Sequence, residues 1–266
     1  MRNSAACVVL VALLSPLWAP GAAAVDHVHS SSRYDRSPAS LHAQAERWDA
    51  SSADLVTWTE VDGARARALH RVSGWAAYTP DPTDVAISWR RDRYRALHTG
   101  QRRLTEHTYR TYTTGRTVTQ WAAAAVLVDR RTHRRVLIVA VHLPAHVQAG
   151  PEFRANTRAR VWRTGLEGLH AYAAQLRTRW HPDLVLVAGD WNVDLRRPTW
   201  RHQLHAVFPG LRNTRVRPFP ADGTDRTRRL IDATLTNGTG RARLLPDDRS
   251  SDHRPYGETI TATHTF

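Results

Sequence analysis

The sequence predicts an α/β fold, two mixed β-sheets packed face to face with helices outside, and three observations lead there. Leu184-Val185-Leu186-Val187-Ala188 and Val136-Leu137-Ile138-Val139-Ala140-Val141 are short, unbroken apolar runs, the mark of strands buried on both faces. Between them Trp162, Leu166, Leu169, Ala173, Leu176 and Trp180 recur at spacings of four and three, the apolar stripe of one long helix over about Glu152–Arg179. Further strand-like segments alternate with helices and polar turns, so helices and hairpins interleave along one chain.

Taken in order, the Ser- and His-rich stretch 25–37 holds the first strand. Ser40 to Ala50 reads as a helix with Leu41, Ala45 and Trp48 on one face, and Leu55 to Val61 as the strand after it. Thr83 to Trp89 and Trp121 to Val128 are strands, and Asp129 to Arg135 is a polar hairpin turn into the strand that ends at His142. His181-Pro182 stops the long helix, and the strand leading to Asp190 starts at once. A shorter helix spans about Thr199 to Val207, and 212–229, rich in Arg, Pro, Asp and Gly, reads as loop. Leu230 to Leu235 alternates and carries Asp232 on one face; a last strand follows Ser251-Asp252-His253. No internal repeat or linker divides residues 25–266, which read as one domain and a monomer.

Residues 1–24 are a separate object. Arg2 gives a positive start, Ala5 to Trp18 is apolar but too short to span a bilayer, and Ala22-Ala23-Ala24 offers a small-residue cleavage site. A signal peptide is expected there, giving a secreted protein that begins at or near Val25, without stable membrane insertion once the leader is removed. The single cysteine, Cys7, lies in the leader, which excludes disulfide and thiol chemistry from the remainder. Net charge is +14, and all 38 basic residues are Arg. An Arg and Ala excess without Lys reflects coding bias in part, yet a field of this sign attracts polyanions.

The chemistry-bearing residues stand where strands end. The Asp190 strand closes in Gly189-Asp190-Trp191-Asn192, with Gly189 read as the point where the backbone turns. Asp190 and Asn192, two apart, point the same way on an extended segment, and a carboxylate with an amide there can hold a metal and a phosphoryl oxygen. Glu60 ends the second strand and His142 another, Asp232 lies inside a strand where an unpaired carboxylate is costly, and Asp252-His253 precede the last.

The order Glu60, His142, Gly189-Asp190-Trp191-Asn192, Asp232, Ser251-Asp252-His253 resembles the endonuclease/exonuclease/phosphatase superfamily, the DNase I-like metal-dependent phosphoesterases, from about Ser40 to Thr261. The resemblance implies a four-layered α/β sandwich and a secreted Mg²⁺- or Mn²⁺-dependent phosphodiesterase, a nuclease first and a sphingomyelinase-type phospholipase C or a non-catalytic polyanion-binding descendant as alternatives. It implies Glu60 and Asp252 as metal ligands, His253 paired with Asp232 as charged donor to the phosphate, and Asp190 as the group that activates water. Asn192 then donates to a nonbridging oxygen, and His142 donates to the developing charge or the leaving group. Arg196, Arg197, Arg226, Arg228 and Arg229 are the candidate contacts to flanking phosphates of a nucleic-acid substrate. The Arg130–Arg135 cluster, six strand residues or roughly 20 Å from His142, is a solvated turn. Trp191 and Trp200 are the candidates for the exposed aromatics of a lipid-directed enzyme. One departure stands out: the superfamily's first-strand Asn is absent, and His27, His29 or Ser30 takes its place.

Overall fold

Alternating side chains dictate the layers. The computed structural model describes residues 24–32, 36–111, 115–147, 157–214, 224, 229–246 and 251–262. In chain order the elements are β1 (Ala24–Ser31), α1 (Pro38–Ala50), β2 (Leu55–Thr59), α2 (Gly63–Ala66) running into a 3₁₀ turn (Arg67–Arg71), β3 (Trp75–Tyr78), β4 (Val85–Arg90), β5 (Tyr94–Arg103), β6 (Tyr109–Arg110) and β7 (Thr117–Val118). They continue as β8 (Trp121–Asp129), β9 (Arg135–His142), α3 (Thr157–Trp180), β10 (Leu184–Asp190), α4 (Pro198–Val207), β11 (Arg212–Asn213), β12 (Asp232–Thr236), β13 (Thr239–Leu244) and β14 (Tyr256–Thr261). One six-stranded sheet runs β13-β14-β1-β2-β4-β3 and the other β11-β12-β10-β9-β8-β5, with β6-β7 a separate small hairpin.

The strict period of two on β8 and β9 sends alternate residues into different cores. Ala123, Ala125 and Leu127, with Val136, Ile138 and Ala140, meet Leu55, Val85 and Ile87 of the other sheet. Their neighbours Ala122, Ala124, Val126, Leu137, Val139 and Val141 pack instead under the α3 stripe of Trp162, Leu166, Leu169, Ala173 and Leu176. On the far side α1 lays Leu41, Ala45 and Trp48 over Val28, Val56 and Trp58. The result is the expected four layers. α1 starts as its sequence suggests: the Ser37 hydroxyl accepts the Ser40 N–H at 3.2 Å and Pro38 occupies the first turn.

Each predicted helix and strand is present, with ends shifted by a few residues. The long helix begins at Thr157, and its expected start at Glu152 lies outside the described residues, as does most of 212–229. β3, β5 and β13 were not expected, nor was β11 at the start of the stretch read as loop, for one reason: each is the edge of a sheet; the small β6-β7 hairpin was not expected either. An edge strand faces solvent and needs no continuous apolar run; β13 alternates exposed and half-buried residues throughout, and β5 is half-buried or exposed after Tyr94. Gly189 also acts differently from the expected turn. It lies within β10, where a Cβ would stand 1.9 Å from the Val141 carbonyl oxygen, so glycine serves close approach of β10 to β9. The turn comes later, at Asn192, whose φ is 54°.

Candidate active site

Strand register assembles the site in a row. Asp190 of β10 pairs directly with His142 of the parallel strand β9 and with Asp232 of the antiparallel strand β12. Asp190 follows the parity of Leu184 and Leu186, His142 that of Ile138 and Ala140, and both face the other sheet at the carboxyl ends of their strands. His253 enters from the loop before β14, whose turn is closed by the Ser251 hydroxyl accepting the His253 N–H at 3.0 Å. Thr224 ties that loop to β12: its hydroxyl accepts the N–H groups of Ile231 and Asp232, and its carbonyl accepts the N–H of Arg254.

The His253 ring bridges two buried carboxylates. Its Nδ1 lies 3.1 Å from Asp232 Oδ2 and its Nε2 3.8 Å from Asp190 Oδ2. Burial disfavours charge on His253, but Asp232 and Asp190 outweigh it and raise its pKa well above the ordinary imidazole value. Burial likewise opposes charge on Asp232, yet His253 and His29 hold that carboxyl far below the usual range. Asp190 is the opposite case: burial and the Asp232 charge push it up to about 7 against the pull of His253 and His142. Asp190 therefore exchanges a proton near neutrality while Asp232 stays ionised.

On the other side of Asp190 stands His142, Nε2 at 3.5 Å from Asp190 Oδ2 and Nδ1 at 2.7 Å from Asp84 Oδ2. Burial works against its charge, but Asp84 and Asp190 raise it to about 10. Asp84 precedes β4 in a polar turn and carries no motif; only pairing of distant segments brings it to His142, 58 positions away. The Asp84 carbonyl also accepts the Val61 N–H at 2.9 Å, which fixes the turn after Glu60. Glu60 itself has φ 59°, held by the Arg65 guanidinium, which donates to the Glu60 carbonyl at 2.5 Å and pairs with Asp62 at 3.0 Å. Two of the chain's left-handed non-glycine residues, Glu60 and Asn192, thus flank the same cleft, strain retained where side chains must be aimed.

Asn192 does not run on extended from Asp190. The left-handed turn folds it back, so its N–H donates to Asp190 Oδ1 at 2.8 Å and its amide to Asp190 Oδ2 at 3.0 Å and the Leu143 carbonyl at 2.8 Å. Both amide hydrogens are directed at protein atoms, which orients Asp190 rather than a phosphoryl oxygen. Arg196 forks onto Asp194 at 3.0 and 3.1 Å, which fixes its guanidinium on that carboxylate. Arg197 is exposed at the start of α4, Arg229 is half-buried and engaged, and Arg226 and Arg228 lie outside the described residues. The Arg130–Arg135 turn joins β8 to β9 at the end opposite His142, as expected. Trp191 and Trp200 are not exposed: Trp191 is wholly buried with its indole N–H on the Ala233 carbonyl, and Trp200 meets Trp162 edge to face at 5.3 Å under α3.

Of the three residues considered for the first-strand Asn, His29 alone reaches the site, Nε2 at 3.3 Å from Asp232 Oδ1. Ser30 points to the opposite face, onto Gln44 and Trp48, and His27 pairs with Glu258. A divalent cation is compatible with the donors present. Asp190, Asp232 and His253 each offer a ligand atom within 4.8 Å of the others, though a proton on His253 already satisfies that triad. Burial raises the Glu60 carboxyl, and half-buried Asp252 and Asp84 add to the rise against the pull of His142 and His253. Just before Glu60 the hydroxyls of Ser31 and Thr59, paired across β1 and β2, are buried without a partner. Carboxylate and hydroxyl oxygens are the donors that suit Mg²⁺ or Mn²⁺.

No family model matches the sequence, and no curated protein matches it. Its fold does match solved structures. An endonuclease/exonuclease/phosphatase family protein from Bacteroides thetaiotaomicron superposes with TM-score 0.68 at 14% identity, covering 92% of this chain and 99% of that one. The mannosyl-6-phosphatase Bt3783 of the same organism does so with TM-score 0.68 at 13% identity, covering 89% and 99%. TDP2 of D. rerio, solved with a single-strand DNA product, superposes with TM-score 0.62 at 12% identity, covering 90% and 99%. At these identities the likeness is one of fold, and the fold is the DNase I-like sandwich of the endonuclease/exonuclease/phosphatase proteins.

Proposed function

We propose that this chain is an exported, divalent-cation-dependent phosphoesterase that hydrolyses phosphodiester bonds of nucleic acid as a monomer. The observation that carries the reading is the row His142, Asp190, Asp232 with His253 across it, two cationic imidazoles and two buried carboxylates at one end of the sandwich. Glu60 and Asp252 would hold the cation, whose chemistry is to neutralise phosphate charge and stabilise the leaving oxygen. The chain's own groups supply the rest. Asp190, near 7, takes a proton from the attacking water as the new P–O bond forms. His253, kept charged by Asp232, donates a hydrogen bond to a phosphoryl oxygen, and His142, kept charged by Asp84, gives its proton to the leaving oxygen.

Nucleic acid is favoured as substrate by the +14 net charge and by the DNA product held by one protein of this fold. Burial of Trp191 and Trp200 removes the aromatics considered for membrane insertion. Export is read from the leader alone; cleavage after Ala24 removes the first residue of β1, which pairs with Thr261, and leaves Val25 paired with Ile260. The deciding experiment measures turnover on plasmid DNA, single-stranded RNA, mannose 6-phosphate and sphingomyelin vesicles, each after chelation and after Mg²⁺ or Mn²⁺ add-back. Metal-restored DNA cleavage that weakens with salt is expected. Cleavage of the sugar phosphate or the lipid alone replaces the substrate, and no turnover on any of them removes the enzymatic reading. Amino-terminal sequencing of the secreted protein reads the cleavage site, and a chain that retains Met1 in the membrane fraction replaces a secreted protein with an anchored one.

A further inference from the structure

Behind Asp232 the interior of the sandwich is polar where apolar packing would be expected. His27 and His29 of β1, Thr57 of β2 and Glu258 of β14 are each 5% exposed or less and share the face of Val25, Leu55 and Ile260. Register brings them together, for His27 pairs directly with Glu258 and His29 with Thr57. They form a single file. Glu258 Oε1 lies 2.7 Å from His27 Nδ1, and His27 Nε2 lies 2.9 Å from Thr57 Oγ1. Thr57 Oγ1 lies 2.9 Å from His29 Nδ1, and His29 Nε2 lies 3.3 Å from Asp232 Oδ1, off the line of an ideal hydrogen bond. The His29 ring is braced by Tyr256, tilted against it at 5.4 Å.

Counting hydrogens makes the file informative. Three of its contacts are hydrogen bonds that need one hydrogen each, and the fourth sets a ring nitrogen against a carboxylate oxygen at 3.3 Å, where only a hydrogen keeps one lone pair from facing another. Two ionised carboxylates supply none, Thr57 supplies one, and two neutral imidazoles supply one each. Three hydrogens cannot serve four contacts. With both rings neutral, a lone pair must face either Thr57 or the Asp232 carboxylate, a costly arrangement at this depth. One additional proton satisfies every contact.

We infer that the file holds that proton, so that one buried imidazolium is shared between Glu258 and Asp232 and an N–H of His29 is presented to Asp232 on the side away from His253. His29, Thr57 and His27 are then positioning residues. Asp232 is gripped from two sides, its carboxylate cannot rotate away from His253 Nδ1, and His253 keeps Nε2 aimed past Asp190 into the cleft. Burial disfavours charge on His29, whereas Glu258 is held ionised beside His27. The short, well-formed contact to a carboxylate is that of His27 with Glu258, 2.7 Å against 3.3 Å for His29 with Asp232, and this sets the charge on His27: its Nε2–H donates to Thr57, Thr57 donates to His29 Nδ1, and neutral His29 donates through Nε2.

The inference extends the hydrolytic reading but can be tested apart from it. In the full chain labelled with ¹⁵N-histidine, NMR should show both His27 nitrogens protonated and His29 as the Nε2–H tautomer. A bare His29 Nε2, or two neutral rings, overturns the file, and this measurement needs no variant. Thr57→Val then removes the shared hydroxyl at nearly constant volume. On bis(4-nitrophenyl) phosphate, kcat should fall about tenfold or more with KM unchanged, while Thr57→Ser stays within about twofold of the parent. Parental kcat in a folded Thr57→Val also overturns it. An inactive parent with the expected ¹⁵N pattern retires the hydrolytic reading and leaves the file standing.

Discussion

Asp190 and Asp232 face each other as directly paired residues of neighbouring antiparallel strands, two buried carboxylates with the His253 ring 3.8 Å from one and 3.1 Å from the other. Like charges opposite one another on one sheet face repel, so the pair persists because His253 is a cation. The imidazolium answers Asp232 fully and Asp190 only in part, which is why one carboxyl is lowered and the other is pushed up to about 7. Two chemically identical groups thereby differ in charge, one held ionised and the other exchanging a proton near neutrality.

His253→Ala and Asp190→Ala each remove a group to which the proposed hydrolysis gives a part in the transition state, and kcat should fall by ~10²–10⁴-fold in each. Asp232→Asn should follow His253→Ala closely, because an amide mis-sets the imidazole tautomer. Steady-state kinetics beside circular dichroism gives the answer. Near-parental turnover in folded His253→Ala removes this row from the chemistry.

Asp84→Asn tests the second pair. Loss of the Asp84 charge takes away the main influence holding His142 near 10, and kcat should drop by about 10–100-fold. The Asp84 side chain is 50% exposed, so the melting temperature should change little. A large loss of stability with undiminished kcat per folded molecule would make the pair structural.

The pH profile follows from the same groups. Asp190 accepts a proton only as the carboxylate, a form that is lost as pH falls through about 7, so kcat/KM should decline on the acid side with that midpoint. His142 donates only when protonated, a form that is lost as pH rises through about 10, which sets the alkaline limb. The expected curve is a bell between these values. Activity that rises toward acid contradicts the assignment of Asp190 as base.

Gly189→Ala probes the β9–β10 contact. The added methyl meets the Val141 carbonyl oxygen at 1.9 Å and side-chain atom Cγ1 at 2.9 Å, so a strand must shift. Destabilisation of about 2–3 kcal/mol or more is expected from overpacking alone, with activity lost as His142 and Asp190 slip out of register. Chemical denaturation measures it, and a neutral result would mean that the strands separate freely.

How much was legible in the sequence depends on whether the signal is local. Period-two alternation and unbroken apolar runs are local, and they located the core strands, the α3 stripe and the strand ends bearing Glu60, His142 and Asp190, whereas Asp232, read as lying inside a strand, is the first residue of β12. By itself, then, the sequence determined the layered α/β architecture and which strand ends bring Glu60, His142 and Asp190 to the edge of the sheets. Edge strands β3, β5 and β13 escaped because a half-solvated strand needs no apolar pattern. Tertiary structure alone decided the pairings: Asp84 with His142 across 58 positions, His29 with Asp232 across the two sheets, and Asn192 turned back on Asp190. It also decided that Gly189 serves interstrand approach and that Trp191 and Trp200 are buried. Register and sheet stacking join residues far apart in the chain, and no local pattern encodes which distant polar group will complete a buried one.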